Sequence, residues 1–163
     1  VGFVPAGGQF RRRENVEAVA SRGVELAARL NLGRWTLAAG YSFADAELRA
    51  SGAAAPLDGL RPAQTPRHSA SATLAWDGPA GATGALTARY MGGQYEDDLN
   101  RQPIPDALTF DAAAVVPLAH GFAIEARAEN LANARVVAGI SGAGIVERAT
   151  PRTLWLGLRW RGN

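Results

Sequence analysis

The sequence contains no cysteine and no lysine, and no apolar run long enough to cross a bilayer as a helix. Without cysteine there is no disulfide framework, thiolate metal site or cysteine nucleophile. All 17 basic residues are arginine, set against 15 acidic ones. The net charge of +2 is close to neutral despite a pI of 9.7. The only basic run is Arg11-Arg12-Arg13. A nucleic-acid binder gathers basic charge on one face, so the charge pattern argues against a nucleic-acid partner. A helical span needs roughly 18 or more consecutive apolar residues; lacking one, the chain has only strands with which to cross a membrane. It opens VGFVPAGGQF, with no basic or apolar leader region. For an exported protein that opening leads us to expect part of a longer chain.

What is present is alternation. Seven stretches place apolar and polar residues in turn, a period of two that marks strands. Val24 to Leu30 sets Val24, Leu26, Ala28 and Leu30 against Glu25, Ala27 and Arg29. From Trp35, the residues Trp35, Leu37, Ala39, Tyr41 and Phe43 oppose Thr36, Ala38, Gly40, Ser42 and Ala44. Further stretches run from Arg67 to Trp76, over Leu86 to Met91, from Leu108 to Val116 and over Phe122 to Glu129. The last, from Arg152 to Trp160, puts Leu154, Leu156, Leu158 and Trp160 on one face. Residues 10–20 form a weak, charged segment, either loop or the remnant of an earlier strand. Short connections (31–34, 77–84, 117–121) alternate with long ones at about 48–66, 95–107 and 133–150.

Short and long connections in turn are the pattern of an outer-membrane barrel, with periplasmic turns at one end and extracellular loops at the other. Trp35, Trp76 and Trp160 all fall on the apolar face near short turns, and Tyr41, Phe43 and Tyr90 lie toward the long loops. Aromatic residues at both strand ends make the interfacial girdles of membrane barrels. The other face carries Glu25, Arg29, Arg89, Asp111, Glu125, Arg127, Glu129 and Arg159. A basic residue facing lipid at the midplane would cost about 2–4 kcal/mol, so these side chains belong to a lumen or to water. The expected fold class is therefore all-β: an antiparallel up-and-down transmembrane β-barrel segment of about seven to eight strands, a partial barrel. Two alternatives stay open on pattern alone, a small closed outer-membrane barrel and a soluble β-barrel that binds an apolar ligand.

RGVELAARL, WTLAAGYSFADAEL, GLRPAQTPRHSASATLAW and ARYMGGQYEDDLN, followed by AENLANARVVAG and TPRTLWLGLRW, resemble the C-terminal barrel of TonB-dependent outer-membrane receptors. The order and spacing of these stretches carry the resemblance, over about residues 9–160. It implies one segment, residues 1–163, of a barrel of about 22 strands around a plug. It further implies energy-coupled uptake of an iron-siderophore, cobalamin or similar scarce nutrient across the outer membrane of a Gram-negative bacterium. The implied partners are outer-membrane lipid, the plug domain and remaining barrel strands, the TonB complex through an N-terminal box, and a small-molecule ligand. Neither plug nor box lies in this sequence. The family ends on an aromatic residue, whereas Arg161, Gly162 and Asn163 follow Trp160 here.

Other constellations bear on chemistry. Glu96, Asp97, Asp98 and Asn100 gather hard oxygen ligands but lack EF-hand spacing, and read as a solvated acidic loop. His68 and His120 lack the spacing of a paired metal site; His120 reads as a turn residue. Asp111 and Glu125 read as members of an ion-pair ladder with Arg89 and Arg127 rather than as acid–base carboxylates. GISGAG lacks the strand, helix and lysine of a nucleotide loop, and Asn130 reads as structural. The expectation is therefore of no enzyme, with no catalytic, cofactor-binding or metal-ligating residue and the ligand-binding residues unassigned.

Overall fold

The computed structural model describes residues 2–5 and 11–162. In chain order its strands are β1 (Gly2–Pro5), β2 (Arg11–Glu14), β3 (Ala18–Leu32), β4 (Trp35–Arg49), β5 (His68–Asp77), β6 (Thr83–Met91) and β7 (Gln94–Tyr95). They continue with β8 (Pro103–Ile104), β9 (Ala107–Pro117), β10 (Phe122–Glu129), β11 (Val137–Ile140), β12 (Val146–Arg148) and β13 (Thr153–Trp160). Seven strands make one antiparallel sheet in the order β13-β10-β9-β6-β5-β4-β3. The remaining six form two-stranded ribbons: β1 with β2, β7 with β8, and β11 with β12. Among the described residues β3 and β13 have no outer neighbour. The sheet is open, the partial up-and-down barrel that the alternation predicts.

Five of the seven strands are 8 to 11 residues long, close to the roughly 9–11 that span a bilayer when tilted. The other two, β3 and β4, run for 15 residues each. Here the structure corrects the sequence reading. The first clear strand begins at Ala18 rather than Val24, and its partner continues through Arg49, well past Ala44. The weak segment at 10–20 divides: Arg11–Glu14 pairs with Gly2–Pro5, Ala18 onward joins the main sheet, and residue 10 lies outside the described residues.

The reason for the missed length is an inversion of phase. Pairing of β3 with β4 runs unbroken from Ala18↔Arg49 to Leu32↔Trp35, so no bulge re-aims the side chains. Up to Phe43 the odd positions of β4 are the apolar ones. Beyond it the odd positions are Asp45, Glu47 and Arg49, while the even positions Ala46, Leu48 and Ala50 are buried. Leu48 and Ala50 pack against Ala54 and the fully buried Leu57 of a 3₁₀ turn, Gly52–Leu57, with Val16 and Leu99 alongside. The loop is pinned to the strand ends by Leu48 N–H to Leu60 C=O (2.8 Å), Gly59 N–H to Leu48 C=O (2.9 Å) and Ala50 N–H to Asp58 Oδ1 (3.0 Å).

Below the inversion the apolar face has no protein cover. Leu26, Leu37, Leu74, Leu86, Ile124 and Leu156 are all exposed, Leu156 by 81%. At the short-turn end Trp35 stacks obliquely on Trp76 (6.2 Å between centroids) and Phe122 on Trp160 (6.5 Å). At the other end His68 joins Tyr41 and Phe43 on this face: its Nδ1 lies 2.9 Å from the Tyr41 hydroxyl, and its ring is 5.1 Å from that of Phe43. Two short turns, at Pro79–Gly81 and Ala119–Gly121, each carry a positive-φ pair, Ala80-Gly81 and His120-Gly121. His120 is thus a turn residue. Gly121 is required twice over, by φ +79° and because a Cβ there would lie 2.3 Å from the Arg161 carbonyl oxygen. No helix among the described residues is long and apolar enough to cross a membrane.

Candidate functional site

Two surfaces carry polar chemistry: the second face of the sheet, and the rim where the three long connections meet. On the sheet, side chains pair across strands, where neighbouring heads come within reach. Thr73 and Thr87 share a hydroxyl hydrogen bond of 2.9 Å, and Thr36 donates to Asn31 Oδ1 at 3.1 Å. Arg89 pairs with Asp111, and Arg159 with Glu125 at 2.9 Å. The expected ladder forms, with one exchange of partner: Glu125 takes Arg159 of β13 rather than Arg127. Arg127 lies two positions along the same strand, so its head projects parallel to that of Glu125, whereas Arg159 approaches from the neighbouring strand. Opposite Arg127 stands Trp155, an exposed aromatic on the polar face. Parity alone places Trp155 there.

Asp111 also reaches the rim. Its Oδ1 accepts the Asn130 N–H at 2.9 Å. Asn130 is buried, has φ +48°, and knots the foot of the third connection. Its Nδ2 donates to the carbonyls of Ala134 (2.9 Å) and Thr150 (3.3 Å), while its Oδ1 accepts from Ala134 N–H (2.8 Å). The left-handed backbone suits asparagine better than most residues. The structural reading of Asn130 holds.

The long connections are not bare loops. The second contains the β7–β8 ribbon and the third the β11–β12 ribbon, whose tip is the GISGAG stretch. In the acidic cluster, Asp97 Oδ1 accepts Arg101 N–H (2.8 Å) and Gln102 N–H (2.7 Å). Asn100 exchanges two hydrogen bonds with the Arg61 backbone (3.0 and 2.8 Å). Glu96 accepts from Gln64 and from Ile140. Asp97 folds its own loop, while Asn100 and Glu96 tie one connection to another. Among the described residues, no group of three or more His, Asp or Glu side chains is placed to hold a metal ion. His68 and His120 stand at opposite ends of the sheet, one in the outer aromatic cluster and one in a short turn.

An open antiparallel sheet with one bare apolar face, a polar ion-paired face and ribboned loops at one rim is a wall cut from a larger barrel. Residues 2–131 match the family TonB dependent receptor-like, beta-barrel. The chain belongs to that family. Solved barrels agree in fold. The siderophore receptor PiuA from Acinetobacter baumannii superposes with a TM-score of 0.76 at 19% identity, covering 87% of this chain and 22% of that one. The ferric yersiniabactin uptake receptor FyuA from Yersinia pestis gives 0.76 at 19% identity, covering 87% and 23%. BauA, the ferric preacinetobactin receptor from Acinetobacter baumannii, gives 0.71 at 20%, covering 86% and 22%. A sequence search of curated proteins returns no match. The chain thus spans 22–23% of the length of these receptors. This TonB-dependent barrel segment is an outer-membrane structure, and its seven long strands are transmembrane strands.

Proposed function

We propose that residues 1–163 are the C-terminal segment of the barrel of a receptor that takes up a ferric siderophore, with energy supplied through TonB. The observation that carries this reading is the rim, where three long connections are ribboned and bonded to one another. Such a rim offers a shaped surface for a small ligand. The matched folds named for iron complexes, ferric yersiniabactin and ferric preacinetobactin among them, support an iron cargo. In this reading the apolar face meets lipid and the Arg89–Asp111 and Arg159–Glu125 face lines the lumen against the plug. The short turns and Trp160 lie on the periplasmic side. The plug and the TonB-contacting box belong to the remainder of the receptor.

Uptake of radiolabelled ferric siderophores of the catecholate, hydroxamate and carboxylate classes, with cobalamin in parallel, tests the cargo in cells with and without the complete receptor. Loss of uptake for one iron class is expected on deletion. Loss confined to cobalamin, or no loss at all, would overturn the reading. Sidedness has its own test. An epitope inserted between Gly142 and Ala143 should bind antibody on intact cells, and one inserted at Gly81 should not. Labelling by a membrane-restricted probe should mark cysteine at Leu37 or Leu86 and spare cysteine at Arg29 or Arg89.

A further inference from the structure

We propose that Glu96 is the latch that joins the third outer connection to the other two. The carboxylate belongs to the second connection, just after β7. Its Oε1 accepts from Gln64 Nε2 of the first connection at 3.1 Å, and its Oε2 accepts from Ile140 N–H of the third at 3.0 Å. One side chain therefore holds three segments separated by 32 and 44 residues. The two links are unequal in support. First and second connections are also held by Gln64 N–H to Tyr95 C=O (2.7 Å), by the paired Asn100–Arg61 bonds, by Arg61 stacked 5.7 Å over Tyr95, and by Leu99 on the Leu57 core. The third connection meets Glu96 through the backbone of its β11–β12 ribbon.

That ribbon is shaped for the approach. Gly139 stands beside Ile140, and a Cβ added there would lie 3.3 Å from Glu96 Oε2 and 3.7 Å from Glu147 Oε2. A methyl group there would push the Glu96 carboxylate back by a few tenths of an ångström and so lengthen its bond to the Ile140 amide. An ionised carboxylate accepts both bonds at once, while an amide side chain has a single accepting oxygen. The latch thus uses both carboxylate oxygens, one for each connection. Its consequence for ligand capture, that the rim moves as one body, rests on the function proposed above; the latch itself does not.

Hydrogen exchange followed by mass spectrometry on the complete receptor in detergent micelles tests it, comparing wild type with Glu96→Gln, Glu96→Ala and Gly139→Ala. A hydrogen bond to a charged group holds an amide closed by about 10- to 100-fold. Exchange in peptides covering 137–148 should rise by about that factor in Glu96→Ala and by less in Glu96→Gln, whose carbonyl can still accept the Ile140 N–H. Gly139→Ala, with Glu96 intact, should raise it as well. Peptides around Arg61 should change by less than about threefold, because their other bonds remain. Unchanged exchange at 137–148 in both Glu96→Ala and Gly139→Ala would overturn the proposal. So would equal deprotection of all three connections. Binding of ferric siderophore to the wild-type receptor, measured on the same preparation, separates the two readings: its absence would remove the proposed cargo and leave the exchange result standing.

Discussion

β3 and β4 are the same two strands above and below Phe43, yet they obey opposite rules. Below, Trp35, Leu37, Ala39, Tyr41 and Phe43 form a bare apolar face, and the opposite face is made of small and polar residues such as Gly40 and Ser42. Above, the first face carries Arg22, Asp45, Glu47 and Arg49, and on the second Ala46 is buried and Leu48 packs under a loop. Backbone pairing does not change across the boundary. The covering medium does. Below, the exposed face is the one the proposed reading gives to lipid, and above, folded protein covers the other. A β-strand has no apolar side of its own; it takes the parity of whatever removes that side from water. On the proposed reading, the inversion at Phe43 and Ala44 marks the outer edge of the bilayer, at the level of the Tyr41–Phe43–His68 cluster.

If the two halves are independent in this way, damage to the upper one stays local. Leu57 is the fully buried residue of the loop core, and truncating a buried leucine to alanine costs about 2–5 kcal/mol. Leu57→Ala should open the first connection to protease and to hydrogen exchange while strands β5, β6 and β9 keep wild-type protection. Loss of protection throughout the sheet would show that the halves fold as one.

The lower half answers to lipid. Leu74 sits mid-strand between Leu37 and Leu86. Leu74→Arg in the complete barrel should cost about 2–4 kcal/mol when folding into vesicles is followed by denaturant titration. Arginine at Glu47, on the same face but above the boundary, loses the exposed ion pair with Arg49 and should cost no more than about 1 kcal/mol. Equal penalties at the two positions would remove the boundary.

Between the halves, Asn130 fixes where β10 stops and the third connection begins. Asn130→Ala leaves the Ala134 N–H and the Ala134 and Thr150 carbonyls without its side chain, a loss of about 1–3 kcal/mol for buried polar groups. The expected signature is faster exchange at Ala134 and Arg135, with β9 and β10 unchanged. A global loss of stability would mean that the knot supports the wall as well as the rim.

The wall was legible because lipid enforces one parity over a whole strand. β10 has the bounds Phe122–Glu129 that alternation predicts. The upper ends of β3 and β4 were not, because an apolar series followed on odd positions stops at Phe43 just as the even series starts. The signal lay in Ala44, Ala46 and Leu48, read one residue out of phase. β7 and β8, at 2 residues each, are too short to show any period. The partner of Glu125 was missed for a different reason: neighbours along a strand are visible in sequence, and those across it depend on register. Glu96 shows the same limit more strongly, since its donors lie in segments with no local pattern linking them. Local order was readable, and the rim, made by long-range bonds between irregular segments, was not.

The smallest expected effect is the sharpest test of where the bilayer ends. Asp45, two residues beyond Phe43, pairs at 2.6 Å with Arg67, the neighbour of His68, and both side chains are 40% exposed. Above the boundary the pair sits in water and headgroups, where an exposed ion pair contributes about 0.2–1 kcal/mol and salt screens it. Asp45→Asn should therefore lower stability by no more than that, with the difference shrinking as salt is raised. Inside hydrocarbon the same change would strand the Arg67 charge, and breaking a buried pair costs about 3–5 kcal/mol regardless of salt. The two placements differ by several-fold in magnitude and in their response to salt. Folding titrations of the complete barrel in vesicles at low and high ionic strength distinguish them. A large, salt-insensitive loss would move the membrane edge past Asp45 and reassign the charged face of the upper strands to the bilayer.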